Sequence, residues 1–229
     1  LLVGATGLVG GHLLRLLVAS PRYRTVYAPA RRELPIQDPK LRPRRVDFNR
    51  LDDAEDEIFA VEDVFCALGT TIKKAGSQEA FRRVDQHYVV EVARRARDAG
   101  ARRFTLVSSI GADAESTNFY LEVKGAAEDD VAACGYPELH ILRPSLLVGD
   151  RKELRPGERA AVLGSKLFAP LLCGPVAQYR PVHARTVAAA MLGAASVTPG
   201  DGRAQGDGRF VYTYARIAAL AGAGAGSST

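Results

Sequence analysis

An α/β fold, with a doubly wound parallel sheet, helices on both faces and a small C-terminal lobe, is what this sequence predicts. Three observations predict it. Short apolar runs alternate with longer amphipathic stretches as far as Pro144. In the longest stretch Phe81, Val84, Val89, Val92 and Ala96 recur near helical spacing, with arginines on the other face. A glycine turn, Gly4 to Gly10, separates the first apolar run from the first helix. Strands alternating with helices imply right-handed crossovers, and so parallel strands covered on both sides.

Taken in order, strands are expected at Leu1 to Val3, Thr25 to Ala28, Arg45 to Phe48, Val61 to Leu68, Phe104 to Ser108 and Leu139 to Leu142. Helices are expected at Leu8 to Ala19, Leu51 to Phe59, Gln78 to Ala99 and Asn118 to Ala133. The strand order should be 3-2-1-4-5-6, with the ligand at the switch point beside strand 1. After Pro144 the rhythm weakens and Pro and Gly recur at Gly149, Pro156, Gly157, Gly164, Pro170, Gly174, Pro175 and Pro181. This reads as a small substrate-side lobe. A helix near Arg185 to Ala195 and a strand near Arg209 to Tyr212 return the chain to the core. The 229 residues suit one domain: a core over about 1–145, a substrate-side segment over 146–182, a return over 183–220 and a frayed Ala/Gly/Ser tail over 221–229. The first strand is short, so a few residues upstream of Leu1 are expected.

The glycine turn is Val3-Gly4-Ala5-Thr6-Gly7-Leu8-Val9-Gly10, a GxxGxxG after a strand and opening a helix. That context marks a Rossmann-type dinucleotide site. Gly4 would allow the sharp turn, Gly7 would let backbone approach a pyrophosphate, and Gly10 would let helix and strand pack closely. Free N–H groups of Thr6 to Gly10 then face the phosphates. Strand 2 is followed by Pro29-Ala30-Arg31-Arg32-Glu33, so Arg31 and Arg32 lie where a 2′-phosphate would sit. A different loop path would present Glu33 to the ribose instead. NADP(H) is therefore the expected cofactor, with NAD(H) possible. Asp47, with Phe48 at the end of strand 3, either reaches the adenine amino group or is an ordinary strand-end carboxylate.

Strand 5 ends in Ser108-Ser109-Ile110-Gly111, and Tyr120 and Lys124 follow early in the next helix. A spacing of four puts phenol and ammonium on one helical face, roughly 6 Å apart along the axis. The ammonium favours tyrosinate, and the pair can exchange a proton with a carbonyl or alcohol while a nicotinamide exchanges hydride. A serine hydroxyl would orient the substrate oxygen. Lys124 would also bond the nicotinamide ribose.

Composition removes other classes. The net charge of +5 is dispersed as Arg-Arg pairs without interleaved aromatics, so no nucleic acid is expected. Cys66, Cys134 and Cys173 lie far apart, and His12, His87, His140 and His183 do not cluster, so neither disulfides nor a metal site are expected. No apolar run is long enough to span a membrane and no signal peptide is visible, which suggests a cytoplasmic protein.

Together these stretches resemble an atypical short-chain dehydrogenase/reductase of the Tat-interacting-protein-like group and its bacterial relatives. The matching segments are GATGLVG (4–10), ARR (30–32), VDFNRLDD (46–53), FCALGTTIKKAGSQEAFRRVD (65–85), FTLVSSIGAD (104–113), SxxFYxxVKG (116–125) and LRPSLLVGDRKELRPGE (142–158), with PV at 181–182. The resemblance implies NADP(H) binding and a Ser-Tyr-Lys site acting on a small-molecule substrate. It implies that Ser109, rather than Ser108, faces the cofactor, that Ala67, Leu68 and Gly69 line it, and that Pro144, Ser145 and Leu146 flank the nicotinamide. Where the superfamily often carries an active-site asparagine, this chain has Asp85, which either replaces the asparagine-dependent proton relay or is an ordinary helix residue. Lys73, Lys74, Arg151, Arg155 and Arg159 are either anchors for an anionic substrate or solvated loop charges. Competing functions are an epimerase or dehydratase, against which the short C-terminal part argues, and a non-catalytic redox-sensing protein, against which the Ser-Tyr-Lys set argues.

Overall fold

The computed structural model describes residues 1–149, 178–196 and 208–225. Its centre is a five-stranded parallel sheet of β1 (Leu2–Val3), β4 (Asp63–Cys66), β5 (Arg103–Val107), β6 (Glu138–Leu142) and β9 (Arg209–Tyr212), bonded in that order. A separate parallel ladder joins β2 (Val26–Ala30) to β3 (Leu41–Arg45), and β2 packs beside β1. The layout is the doubly wound Rossmann-type sheet, with β9 added beyond β6. The predicted order assumed a continuous ladder; here β2 and β3 bond to each other and not to β1.

Alternation along each strand sorts the core into two layers. Leu2 and Phe65 face a layer built from α1 (Leu8–Ala19), α6 (Ala184–Ala194) and α7 (Tyr214–Ala225), among them Leu13, Leu14, Val187 and Met191. Val3, Val64 and Cys66 face the other, with Val89, Val92 and Ala96 of α4 (Tyr88–Asp98) and Val131 of α5 (Phe119–Ala133). Burial of these two apolar faces on one sheet is the main stabilising term.

Several boundaries differ from the sequence expectation. Strand 3 is Leu41–Arg45, not Arg45 to Phe48, because it is an edge strand whose charged residues stay in water. The helix expected over Leu51 to Phe59 is two 3-10 turns, Phe48–Asp53 and Asp56–Ile58. Arg95 fills the break: it donates to the Leu51 carbonyl, pairs with Asp56 at 2.8 Å and stacks on Phe59. The long helix expected from Gln78 is interrupted. After a short α2 (Ile72–Ala75), α3 (Gln78–Arg82) leads into one π turn, Arg83–His87, before α4. Residues expected as tail form the end of α7, an Ala-rich helix, while 226–229 lie outside the described residues. Short strands β7 (Leu147–Val148) and β8 (Val182–His183) pair where only loop was expected. Arg151, Arg155, Pro156, Gly157, Arg159, Gly164, Pro170, Cys173, Gly174 and Pro175 lie outside the described residues.

Arginines of the dispersed pairs meet carboxylates: Arg44 with Glu55, Arg82 with Glu122, Arg83 with Glu79, Arg94 with Glu91 and Arg103 with Asp63 and Glu138. Beside the last group, His140 is stacked between Phe210 and Tyr212 and shares a 2.9 Å hydrogen bond with the Tyr212 hydroxyl. Burial lowers its pKa to about 4, against an opposing pull from Glu138. A depressed folded-state pKa means stability is present above the ordinary value of 6.5 and is lost as pH falls from there through about 4. Thermal melts across that window should show the loss, and His140→Gln should flatten it. An unchanged acid slope in the variant would assign the loss to other groups.

Candidate functional site

The glycine turn shapes one end of the site. Gly4 has φ +83, and a Cβ there would overlap the Ala67 carbonyl; a Cβ at Gly10 would overlap the Gly4 carbonyl. The first turn of α1 therefore lies directly on the ends of β1 and β4. Gly7 is the helix N-cap with no side-chain capping bond. Gly11 N–H reaches the Gly7 carbonyl at 2.9 Å, which leaves Leu8, Val9 and Gly10 N–H outside the intrahelical pattern. Val9 buries its side chain in the core, so only its backbone faces this cradle. A Cβ on Gly7 would stand 3.1 Å from the Gly4 carbonyl and project into the same space. An uncapped helix start with a bare glycine at its lip fits a pyrophosphate.

Arg31 and Arg32 are exposed just past β2, and Arg32 donates to the Thr6 carbonyl at 3.4 Å, beside the cradle. Asp47 lies two residues beyond β3, not at its end. Its carboxylate caps the 3-10 turn by accepting from Asn49 N at 2.9 Å and Asn49 Nδ2 at 3.0 Å. Those bonds, with Arg50 and Arg31 nearby, hold it below the usual carboxylate range. Phe48 is a core residue packed on Tyr88, so only its backbone is free to meet a ligand.

Ala67, Leu68 and Gly69 continue from β4 over the second half of the site. Beneath Gly69 sits a buried ion pair: Lys124 Nζ lies 2.7 Å from Asp85 Oδ1, and Asp85 Oδ2 accepts from Thr70 N at 2.8 Å. Burial depresses the Lys124 ammonium, but Asp85, then Tyr120, outweigh it and hold its pKa above the ordinary lysine value. Burial pushes the neighbouring Cys66 thiol up to about 12, so it is a packed residue and no nucleophile.

α5 carries the remaining groups. Asn118 caps it, accepting from Tyr120 N and Leu121 N. The Tyr120 ring is half-buried against Phe81, 5.5 Å between centroids. Ser109, just past β5, is half-buried, while Ser108 is buried and its hydroxyl donates to Glu128. Glu128 is also gripped by Arg143, with Nη2 to Oε2 at 2.5 Å. This Ser108–Glu128–Arg143 network ties the ends of β5 and β6 to α5. Gly125 lets the loop after β5 lie on the helix, since a Cβ there would overlap Asp113 and Ala114. Sequence reasoning named neither Glu128 nor Gly125 as site-forming. The available signal was their spacing from Lys124: Glu128 follows it by one turn on the inward face, amid small apolar residues.

Pro144 accepts from Ile110 N at 2.9 Å, Leu146 accepts from Val182 N at 2.9 Å, and the Ser145 hydroxyl donates to the Arg180 carbonyl. The structure thus gathers 4–10, 67–69, Asp85, Ser109, Tyr120 and Lys124 around the C-terminal ends of β1, β4 and β5. Lys73 and Lys74 sit on exposed α2. A shallow cleft of about 430 Å³ between α1, α6 and α7, lined by His12, Arg15 and Arg185, shares no residue with this site.

A family model described as NAD(P)H-binding matches residues 4–164. The chain is similar to Protein HTATIP2 of Rattus norvegicus, 36% identical over 205 residues, covering 88% of this chain and 82% of that protein. It is also similar to Protein fmp52, mitochondrial, of Emericella nidulans, 36% identical over 166 residues, covering 70% of this chain and 71% of that one. Among solved structures, MoeE5 in complex with UDP-glucose and NAD has a TM-score of 0.66 at 18% identity, covering 96% of this chain and 79% of that chain. WbmH of Bordetella bronchiseptica in complex with NAD+ has a TM-score of 0.65 at 16% identity, covering 93% and 74%. These structural likenesses concern the fold. Among the described residues no helix is long and apolar enough to cross a membrane.

The cradle geometry generates a sharp test. Gly7→Val should still fold, with a lowered melting temperature, because its backbone is ordinary extended chain and the one close contact, 3.1 Å to the Gly4 carbonyl, asks for a shift of a few tenths of an ångström. It should lose the thermal gain that NADPH or NADH gives the parent. A variant that still gains as the parent does would remove the cradle from the cofactor site.

Proposed function

The chain belongs to the NAD(P)H-binding family, in its Tat-interacting-protein-like group of atypical short-chain dehydrogenases/reductases, and from that premise we propose that it is an NADP(H)-dependent oxidoreductase acting on a small carbonyl or alcohol. One observation carries this reading. Tyr120 and Lys124 share a face of α5, and the Lys124 ammonium lies under Gly69, in the segment that leaves β4 against Gly4 of the cradle.

When bound, the nicotinamide would supply or accept the hydride. Ser109 donates a hydrogen bond to the substrate oxygen and holds it beside Tyr120. In reduction the Tyr120 hydroxyl gives its proton to the carbonyl oxygen; in oxidation the phenolate takes the proton from the alcohol. Lys124, kept charged by Asp85, stabilises the phenolate and donates to the nicotinamide ribose. Pro144, Ser145 and Leu146 flank the ring, and backbone N–H groups of 8–10 hold the pyrophosphate. Arg31 would meet the 2′-phosphate as a fork-shaped donor, with Arg32 the second candidate. We place the protein in the cytoplasm, as the sequence reading expects. Imaging of a tagged full chain distinguishes that from the mitochondrial address in the fungal relatives' names.

Tyr120→Phe should lower turnover of a proven substrate by about 10²–10⁴-fold with cofactor affinity nearly unchanged, since only the transferable proton is lost. Turnover at the parent rate would end the catalytic assignment.

Cofactor choice is tested separately. Calorimetric titration should show NADPH binding about ten- to a hundredfold tighter than NADH, reduced in Arg31→Ala and weakened by salt. Equal affinities in the parent, or an unchanged preference in the variant, would remove Arg31 from this role. Tighter NADH binding would point to Glu33.

A further inference from the structure

We propose that Asp85 is a positioning residue: it clamps the Lys124 ammonium from the π turn and reduces the positive field that Tyr120 feels. The inference rests on the oxidoreductase reading of the same site. Asp85 is 1% exposed and Lys124 7%. Both carboxylate oxygens are engaged, Oδ1 by Lys124 Nζ and Oδ2 by Thr70 N. The carboxylate is thus tied at once to α5 and to the chain leaving β4, and it fixes the lysine relative to the segment lining the cofactor.

The local backbone accounts for its position. One residue turns a helix by about 100°, so the extra residue of a π turn redirects the side chains around it. Asp85 lies in that turn, and the side chain ends inward, under Gly69, while Arg82 and Gln86 on either side reach outward to Glu122 and Asp130.

The titratable groups facing Lys124 are Asp85 from the π turn, Tyr120 from its own helix and the neutral Cys66 thiol from β4. A buried ammonium alone would present Tyr120 with a full positive charge at low dielectric. Paired with Asp85, it presents a dipole, whose field falls off faster. The carboxylate also keeps the lysine protonated in a place where burial alone would strip its proton. Asp85 therefore trades some stabilisation of the phenolate for an ammonium that stays charged and in place.

The signs of the test follow. Asp85→Asn removes the negative charge, so the phenolate forms at lower pH and Lys124 loses its proton at lower pH. Both limbs of the pH profile of kcat should move acidward by about one unit or more. A purely structural role would lower the rate and leave the limbs in place, and that result, or an alkaline shift, would overturn the proposal. Lys124 is also followed directly by NMR of isotope-labelled lysine in the cofactor-free protein. Its titration should fall in Asp85→Asn, and an unchanged titration would refute the clamp. That arm needs no turnover, so a parent inactive on every carbonyl tried would sink the oxidoreductase reading and still leave Asp85 judged. If Asp85→Asn fails to fold, Lys124→Met and the double variant Asp85→Asn/Lys124→Met decide. Neutralising the stranded carboxylate should make the double variant melt higher than Lys124→Met, and a melt at or below it would overturn the pairing.

Discussion

The arrangement of the site depends on a backbone-to-backbone contact between the first turn of α1 and the ends of β1 and β4. Gly4 turns the chain at positive φ against Ala67, and Gly10 rests on the Gly4 carbonyl. No side chain separates these segments. The free N–H groups of α1 therefore stand next to 67–69, and 67–69 in turn cover Asp85 and Lys124. A methyl group at Gly4 or Gly10 would have to push a helix away from a sheet, because the atoms it meets are backbone and cannot rotate aside.

The second organising element is α5, whose burial pattern departs from an ordinary surface helix. Its inward face carries Val123, Ala127 and Val131 as expected, but also Lys124 and Glu128. Each charge is matched from a different element, Lys124 by Asp85 and Glu128 by Arg143 with Ser108. Gly125, between them, admits the loop that follows Ser109. One helix thus carries Tyr120 and Lys124 and anchors the ends of β5 and β6 that bear Ser109 and Pro144.

Much of this was legible in the sequence. The bounds of α1 and β9 read correctly because their apolar periodicity is strong and their flanks are clear. The glycine turn was read where the chain does turn, at the end of β1 and the start of α1, and the spacing of four does put Tyr120 and Lys124 on α5. What failed had physical reasons. β3 is a charged edge strand containing Pro43, so apolar patterning pointed past it to Val46 and Phe48, which belong to the core below. α7 ends in Ala and Gly, a composition with little contrast between faces, and reads as tail. The π turn falls in the five-residue step from Val84 to Val89, which read as loose helical spacing, so Val84 rather than Asp85 was given the inward position. Glu128 was passed over because a glutamate on an amphipathic helix is ordinarily exposed.

The two ion pairs on the inward face of α5 differ in how much solvent they keep. Arg143 keeps 28% of its side chain exposed, so the Glu128 pair retains some solvent on one partner. Lys124 and Asp85 are 8% and 1% exposed as side chains, and the desolvation cost of such a pair is often greater than its attraction repays. An apolar pair of similar volume would hold α5 to the π turn at least as well. It would supply neither a proton-bearing cation beneath Gly69 nor a fixed donor beside Tyr120. The Glu128 network is therefore explained by what it ties together, the ends of two strands and a helix. The Lys124 pair instead keeps a charge inside, with Asp85 as its counter-ion.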